Sequence, residues 1–127
     1  MLFRSVVSVN GDGGFMFGMQ ELATAAQYGI GLVTLVFNNN AFGNVRRDQQ
    51  MGFGGRLIGA DLQNPDFMKL AESFGVAGYR VSTAAELKTV LAKAIDDDKP
   101  ALIEISTETG SEAAAWEFIN MYDTPKF

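Results

Sequence analysis

Apolar residues along this chain follow two alternating rhythms. Short, mostly β-branched runs predict buried strands: "SVVSV" (Ser5–Val9), "LVTLVF" (Leu32–Phe37) and "ALIEIS" (Ala101–Ser106), with "GYRVS" (Gly78–Ser82) as a shorter one. Between them the apolar positions take helical spacing. Phe15, Met19, Leu22 and Ala26 form one stripe closed by Gly29, and Phe67, Leu70, Ala71 and Phe74 form a second closed by Gly75. Leu87, Val90, Leu91, Ala94 and Ile95 make a third, amphipathic face. Asn64-Pro65 has the form of an N-cap and first-turn pair for the second helix, and Thr83-Ala-Ala-Glu86 that of a capping box for the third. Asp96 to Asp98 end that helix in a solvated turn. Asn38 to Gly59 shows no clear period and predicts a long loop with room for a short helix. Ser111 to Tyr122, containing Trp116, predicts a terminal helix.

Strand, helix, strand, loop, helix, strand, helix, strand is the order of a parallel α/β sheet with flanking helices, joined by right-handed crossovers. No internal repeat or interdomain linker interrupts it. Ligands on such sheets bind beyond the carboxyl ends of the strands. Two loops fall there, Asn10 to Gly14 and Asn38 to Gly43, each directly after a strand. The alternative for the first is a hairpin turn, since Asn10-Gly11 and Asp12-Gly13 are hairpin dipeptides. The helical stripe that follows favours a strand–glycine loop–helix unit instead.

Composition narrows the chemistry. The 127 residues are 47% apolar, enough for one compact domain with a core. A net charge of −5 argues against nucleic acid and anionic membrane surfaces as partners. The longest strongly apolar run, Gly29 to Phe37, is too short to span a bilayer. "MLFRSVVSVN" does not read as a signal peptide and leads straight into a strand, so missing upstream sequence is expected. The chain has no cysteine, which suits a reducing cytoplasm. It has no histidine either, so carboxylates, a metal or an organic cofactor must supply any catalysis.

Gly11 to Gly14 could present backbone N–H groups to a phosphate without an intervening Cβ. The dinucleotide fingerprint is excluded because its third glycine position is Met16, and a Walker loop because no Gly-Lys-Ser/Thr occurs. Asp12 would repel a bare phosphate, and a divalent metal bridging carboxylate and phosphate resolves that conflict. The loop "FNNNAFGNV" offers amide and carbonyl oxygens suited to magnesium. Its blander reading is an Asn-rich turn built on Asx and left-handed conformations.

Gly11-Asp12-Gly13, followed by Asn38-Asn39 with Asp12 and Asn39 27 positions apart, resembles the binding motif of thiamine-diphosphate-dependent enzymes. The likeness extends through "GGFMFGMQELATA", "FNNNAFGNVRRDQ", "NPDFMKLAESFGV" and "ALIEI", similar to the C-terminal domain of the acetolactate synthase and benzoylformate decarboxylase group. It covers nearly the whole chain to about Ser106. The resemblance implies that residues 1–127 are a partial diphosphate-binding domain of the thiamine-enzyme type, truncated on its N-terminal side. It implies Mg2+ held by Asp12, Asn39 and the carbonyl of Ala41, with Gly11, Gly13, Gly14 and Gly43 facing the diphosphate. Glu21 matches a frequent family residue, but a helix first-turn acid is the simpler reading. Arg46 and Arg47 read as surface charges.

The implied activity is decarboxylation or carboligation of 2-oxo acids. Family members also carry a pyrimidine-binding domain whose glutamate activates the cofactor, so the expected partners are thiamine diphosphate and that missing domain or subunit. The chain alone is expected to be inactive, and a bare sheet edge to drive homo-oligomerisation. Two alternatives remain: a non-catalytic folded piece with little cofactor binding, and a receiver-like phosphorylation domain. The second lacks the usual neighbouring acidic pair and has Lys99-Pro100 before its strand instead of after one.

Overall fold

The computed structural model describes residues 6–110, so the terminal helix expected over Ser111 to Tyr122 lies outside the described residues. Four strands, β1 (Val6–Gly11), β2 (Leu32–Asn38), β3 (Ala77–Val81) and β4 (Ala101–Ser106), form one sheet in the order β1-β2-β4-β3. All three pairings are parallel, as the alternating element order predicts. The helices are α1 (Asp12–Phe15), α2 (Glu21–Tyr28), α3 (Gly43–Gly52), α4 (Phe67–Ser73) and α5 (Ala84–Asp96).

Side-chain alternation along the two central strands divides the core into two layers. Val36 and Leu102 face α1, α2 and α4, packing with Phe15, Leu22, Phe67, Ala71 and Val76. Val33, Leu35, Ile103 and Ile105 face the other way, against Ala94 and the partly buried stripe of α5. Phe67, Leu102 and Ile103 are fully buried, and each such side chain contributes about 1.5–3 kcal/mol relative to exposure. The rings of Phe15 and Phe67 meet edge-on at 5.7 Å, which ties α1 to α4 across the end of the sheet.

Three expectations need correction, and one is sharpened. The run read as a buried first strand is the sheet's edge: Val7 and Val9, on the face that α5 covers elsewhere, are 39% and 66% exposed because α5 packs on β2, β4 and β3 and not on β1. Apolar content signals a strand, but it does not distinguish a centre from an edge. The stripe from Phe15 to Ala26 is two helices, not one. Turn bonds of i to i+3 type, such as Phe17 N–H to Gly14 O and Gly18 N–H to Phe15 O, separate α1 from α2. The segment after β2, expected as a long loop with room for a short helix, does hold a helix, the ten-residue α3, whose place no buried residue announces by periodicity. Finally, Asp66 caps α4, accepting from the Met68 N–H at 3.0 Å, and Asn64 is used elsewhere.

Other boundary signals hold. Gly29 and Gly75 end α2 and α4 at φ of 59° and 69°, a left-handed conformation that side chains resist. Thr83 and Glu86 form a reciprocal capping box on α5. The Ser82 N–H, then the Ser82 hydroxyl and the Thr83 N–H, hold the Glu86 carboxyl below its usual range. A carboxyl lowered in the folded state contributes stability above its unfolded value near 4.5 and loses it as pH falls through the folded value. Thr83→Ala is expected to lower stability by about 1 kcal/mol in urea unfolding at neutral pH. Glu86→Gln is expected to flatten the fall in urea midpoint with acid, and an unchanged pH slope would count against the cap.

Candidate functional site

Three chain segments converge beyond the carboxyl ends of β1, β2 and β4. Parallel register sets the first two level, since Gly11 pairs with Phe37, and Asn38 in turn pairs with Ser106. A cavity of about 370 Å³ opens there, lined by Gly11, Asp12, Phe37, Asn39, Ala41, Gly43, Asn44 and Thr107. Five of the seven positions singled out in the sequence therefore border one cavity.

Asp12 opens α1 and is only 2% exposed. Its Oδ2 accepts a 2.6 Å hydrogen bond from Asn64 Nδ2. The same Asn64 nitrogen lies 2.9 Å from Asn38 Oδ1 and 3.4 Å from Asn40 Oδ1. Asn38 in turn donates from Nδ2 to Glu104 Oε1 at 2.7 Å, and Arg80 Nε donates to Glu104 Oε2 at 2.7 Å. Arg80 also reaches Asp66 at 3.1 Å. The Glu104 hydrogen bond and charge raise the Arg80 guanidinium further above its ordinary value. The Met68 N–H holds Asp66 below the usual carboxylate range, with the Lys69 N–H and Arg80 assisting.

The asparagine run is an Asx structure. The Asn40 N–H donates to Asn38 Oδ1 at 3.2 Å, the Ala41 N–H donates to Asn39 Oδ1 at 3.1 Å, and Asn40 sits at φ 56°. The turn reading and the metal reading are compatible, because an amide oxygen has two lone pairs. Phe42 N–H to Ala60 O and Leu62 N–H to Asn40 O clasp the turn to the loop after α3. These bonds flank Ala41, so its carbonyl lies outside the Ala41–Asp61 bridge. Thr107 N–H binds Asn38 O at 2.9 Å, and the Thr109 hydroxyl binds Asn39 O at 2.6 Å, fixing the turn from the end of β4.

Gly13 and Gly14 are placed differently from the other candidates. A Cβ on Gly13 would collide with the Phe42 ring, so its missing side chain makes room for that ring. Gly14 borders a separate cavity of about 140 Å³ with Ser8, Asn10, Thr34 and Glu21. Glu21 lies in the first turn of α2, exposed, and accepts from the Thr24 hydroxyl at 3.1 Å. Arg46 pairs with Asp61 at 3.0 Å and Arg47 with Asp48 at 3.3 Å.

Sequence reasoning missed Asn64, Glu104, Thr107 and Thr109. Glu104 had a visible signal, as a lone acid in an otherwise apolar strand. The threonines follow a strand end, where ligand loops are expected. Asn64 had no such signal, because its partner Asp12 lies 52 positions away. The available metal donors, a carboxylate, a side-chain amide oxygen and a carbonyl, are all hard oxygens. Among the described residues no group of three or more His, Cys, Asp and Glu forms a competing metal cluster.

Fold and site together define a parallel α/β domain with a carboxylate–amide cavity at its strand ends. The chain belongs to the family described as "Thiamine pyrophosphate enzyme, C-terminal TPP binding domain", which matches residues 2–105. A probable acetolactate synthase large subunit of Methanocaldococcus jannaschii is 40% identical over 104 residues, covering 81% of this chain and 18% of that protein. The acetolactate synthase large subunit of Haemophilus influenzae is 38% identical over 106 residues, covering 82% and 18%. The thiamine diphosphate-dependent 4-hydroxybenzoylformate decarboxylase of Rhodococcus jostii superposes with a TM-score of 0.78 at 36% identity, covering 86% of this chain and 21% of that one. Benzoylformate decarboxylase from Polynucleobacter necessarius, at TM-score 0.81 and 24% identity over 88% of this chain and 21% of its own, shares the fold. The chain thus spans about 18% of the length of the curated relatives it matches. Membership of this family sets aside the receiver-like alternative. No helix among the described residues is long and apolar enough to cross a membrane.

The two glycines give a paired prediction. Gly13→Ala is expected to displace Phe42 and cost about 1–3 kcal/mol in urea unfolding. Gly14→Ala, where a Cβ meets nothing within 4 Å, is expected to be neutral or to stabilise by up to about 1 kcal/mol. Equal effects of the two would contradict the packing assigned to Gly13.

Proposed function

We propose that this chain anchors Mg2+ and the diphosphate of thiamine diphosphate as the C-terminal domain of an acetolactate-synthase-like enzyme acting on 2-oxo acids. The observation that carries the reading is the convergence of Asp12, Asn39 and Ala41 on one cavity beside Gly11 and Gly43. Asp12 supplies the single negative charge and Asn39 and Ala41 supply neutral oxygens, a hard donor set suited to magnesium. Gly11 and Gly43 border the cavity without side chains, leaving backbone open to a diphosphate, while Gly13 and Gly14 belong to the diphosphate-facing set by family resemblance alone. Burial of Asp12 lowers the local dielectric, so its attraction for a cation is stronger than at an exposed site. When bound, thiamine diphosphate supplies the carbon nucleophile for decarboxylation or carboligation of a 2-oxo acid.

The chain's own contribution is then to hold and orient the cofactor, while a pyrimidine-binding domain or subunit supplies the activating carboxylate. The exposed valines of edge strand β1 favour a second copy of the chain as neighbour, in a cytoplasmic setting. A monomer by light scattering across concentrations would count against that association.

Titration calorimetry with thiamine diphosphate and Mg2+ tests the anchor. Saturable heat is expected, and Asp12→Ala is expected to abolish it. Heat that survives this substitution would remove Asp12 from the metal site. Absence of binding at millimolar ligand would favour a folded piece with little cofactor affinity. Turnover of pyruvate or benzoylformate by the pure chain is expected to be nil, and measurable turnover would contradict the division of labour.

A further inference from the structure

The Asp12 carboxylate is oriented by a neutral group. Asn64 meets its Oδ2 at 2.6 Å, and a neutral donor fixes the orientation of a carboxylate without cancelling its charge. An arginine or lysine in the same place would compete with a cation. Asn64 itself is oriented without ambiguity. Its Nδ2 is surrounded by oxygens of Asp12, Asn38 and Asn40, so a flipped amide would set oxygen against oxygen.

The same logic continues outward. Asn38 donates to Glu104 Oε1, which turns the Asn38 oxygen toward Asn64. Glu104, with its side chain 5% exposed, is held by Arg80, and Arg80 also binds Asp66, two residues beyond Asn64. A buried carboxylate on a central strand is costly unless it is paired and hydrogen-bonded, and here both of its oxygens are engaged. The network thus runs unbroken from the β3 edge of the sheet to Asp12, with each donor and acceptor dictated by the next.

Resting on the reading of Asp12 as a metal ligand, we infer that Asn64 is a positioning residue that holds the Asp12 carboxylate in its cation-accepting orientation, set through Asn38 by the Glu104–Arg80 pair. Partners that orient metal ligands in this way typically change metal affinity about ten- to a hundredfold when removed.

The test is Mn2+ titrated into the 127-residue chain with thiamine diphosphate present, free Mn2+ being counted by electron paramagnetic resonance. Asn64→Ala is expected to weaken Mn2+ binding by about ten- to a hundredfold, and affinity within about twofold of the parent would overturn the assignment. If the alanine variant fails to fold, Asn64→Ser is read by the same criterion, being polar but too short to reach Asp12. A second readout needs no metal. The Asn64 side-chain amide resonances of the metal-free chain are expected to shift in Asp12→Ala, and unmoved resonances would overturn the contact. A parent chain that takes up no Mn2+ would defeat the cofactor reading, leaving the amide resonances to decide the Asn64–Asp12 contact. A parent that binds as tightly as its Asn64→Ala variant would defeat only the positioning role.

Discussion

Parallel register between β1, β2 and β4 is the constraint on which the site depends. Because the strands run the same way and end almost level, the segments leaving them emerge on one edge of the sheet. The first turns at once into α1, the second into the asparagine turn, and the third into Thr107 and Thr109. An antiparallel arrangement would have sent alternate segments to opposite edges. The crossover helices that make parallel pairing possible also supply the two apolar layers, so the frame that stabilises the sheet aligns the cavity as well.

Polar groups in this frame are concentrated where the apolar layer on one face ends. Val36 and Leu102 belong to the core, while Asn38 and Glu104, two residues further along the same strands and on the same face, begin the hydrogen-bonded network. The Phe15–Phe67 contact fixes α1 against α4 just below it. Packing therefore sets the distance between Asp12 and the segment carrying Asn64, and hydrogen bonds set their orientation. Gly13 belongs to the same arrangement, since only a residue without Cβ lets the Phe42 ring close over α1.

Much of the fold was legible because its signals are local. Four strands, the stops at Gly29 and Gly75, the Thr83–Glu86 box and the parallel α/β class follow from spacing and short motifs. The edge position of β1 was not legible, because apolar content records what a side chain prefers and not which neighbours cover it. The position and length of α3 escaped because it buries nothing and so leaves no stripe. The break between α1 and α2 escaped for the opposite reason, since a stripe at helical spacing continues across the turn at Gly18.

The sequence by itself determined the chemistry available at the cavity: one carboxylate in a glycine loop, an asparagine pair at a fixed spacing, and no histidine or cysteine to act in their place. It also determined the family, through flanking stretches that extend well past the motif. Only the tertiary structure decided how that carboxylate is held. Asn64 looks like a helix cap when only its neighbours are considered, and Asp66 takes that position instead. Its actual partner is brought to 2.6 Å by the docking of α4 against α1, across 52 residues of chain. A hydrogen bond between residues so distant in sequence depends on the path of the backbone through space, which local periodicity and capping patterns do not encode.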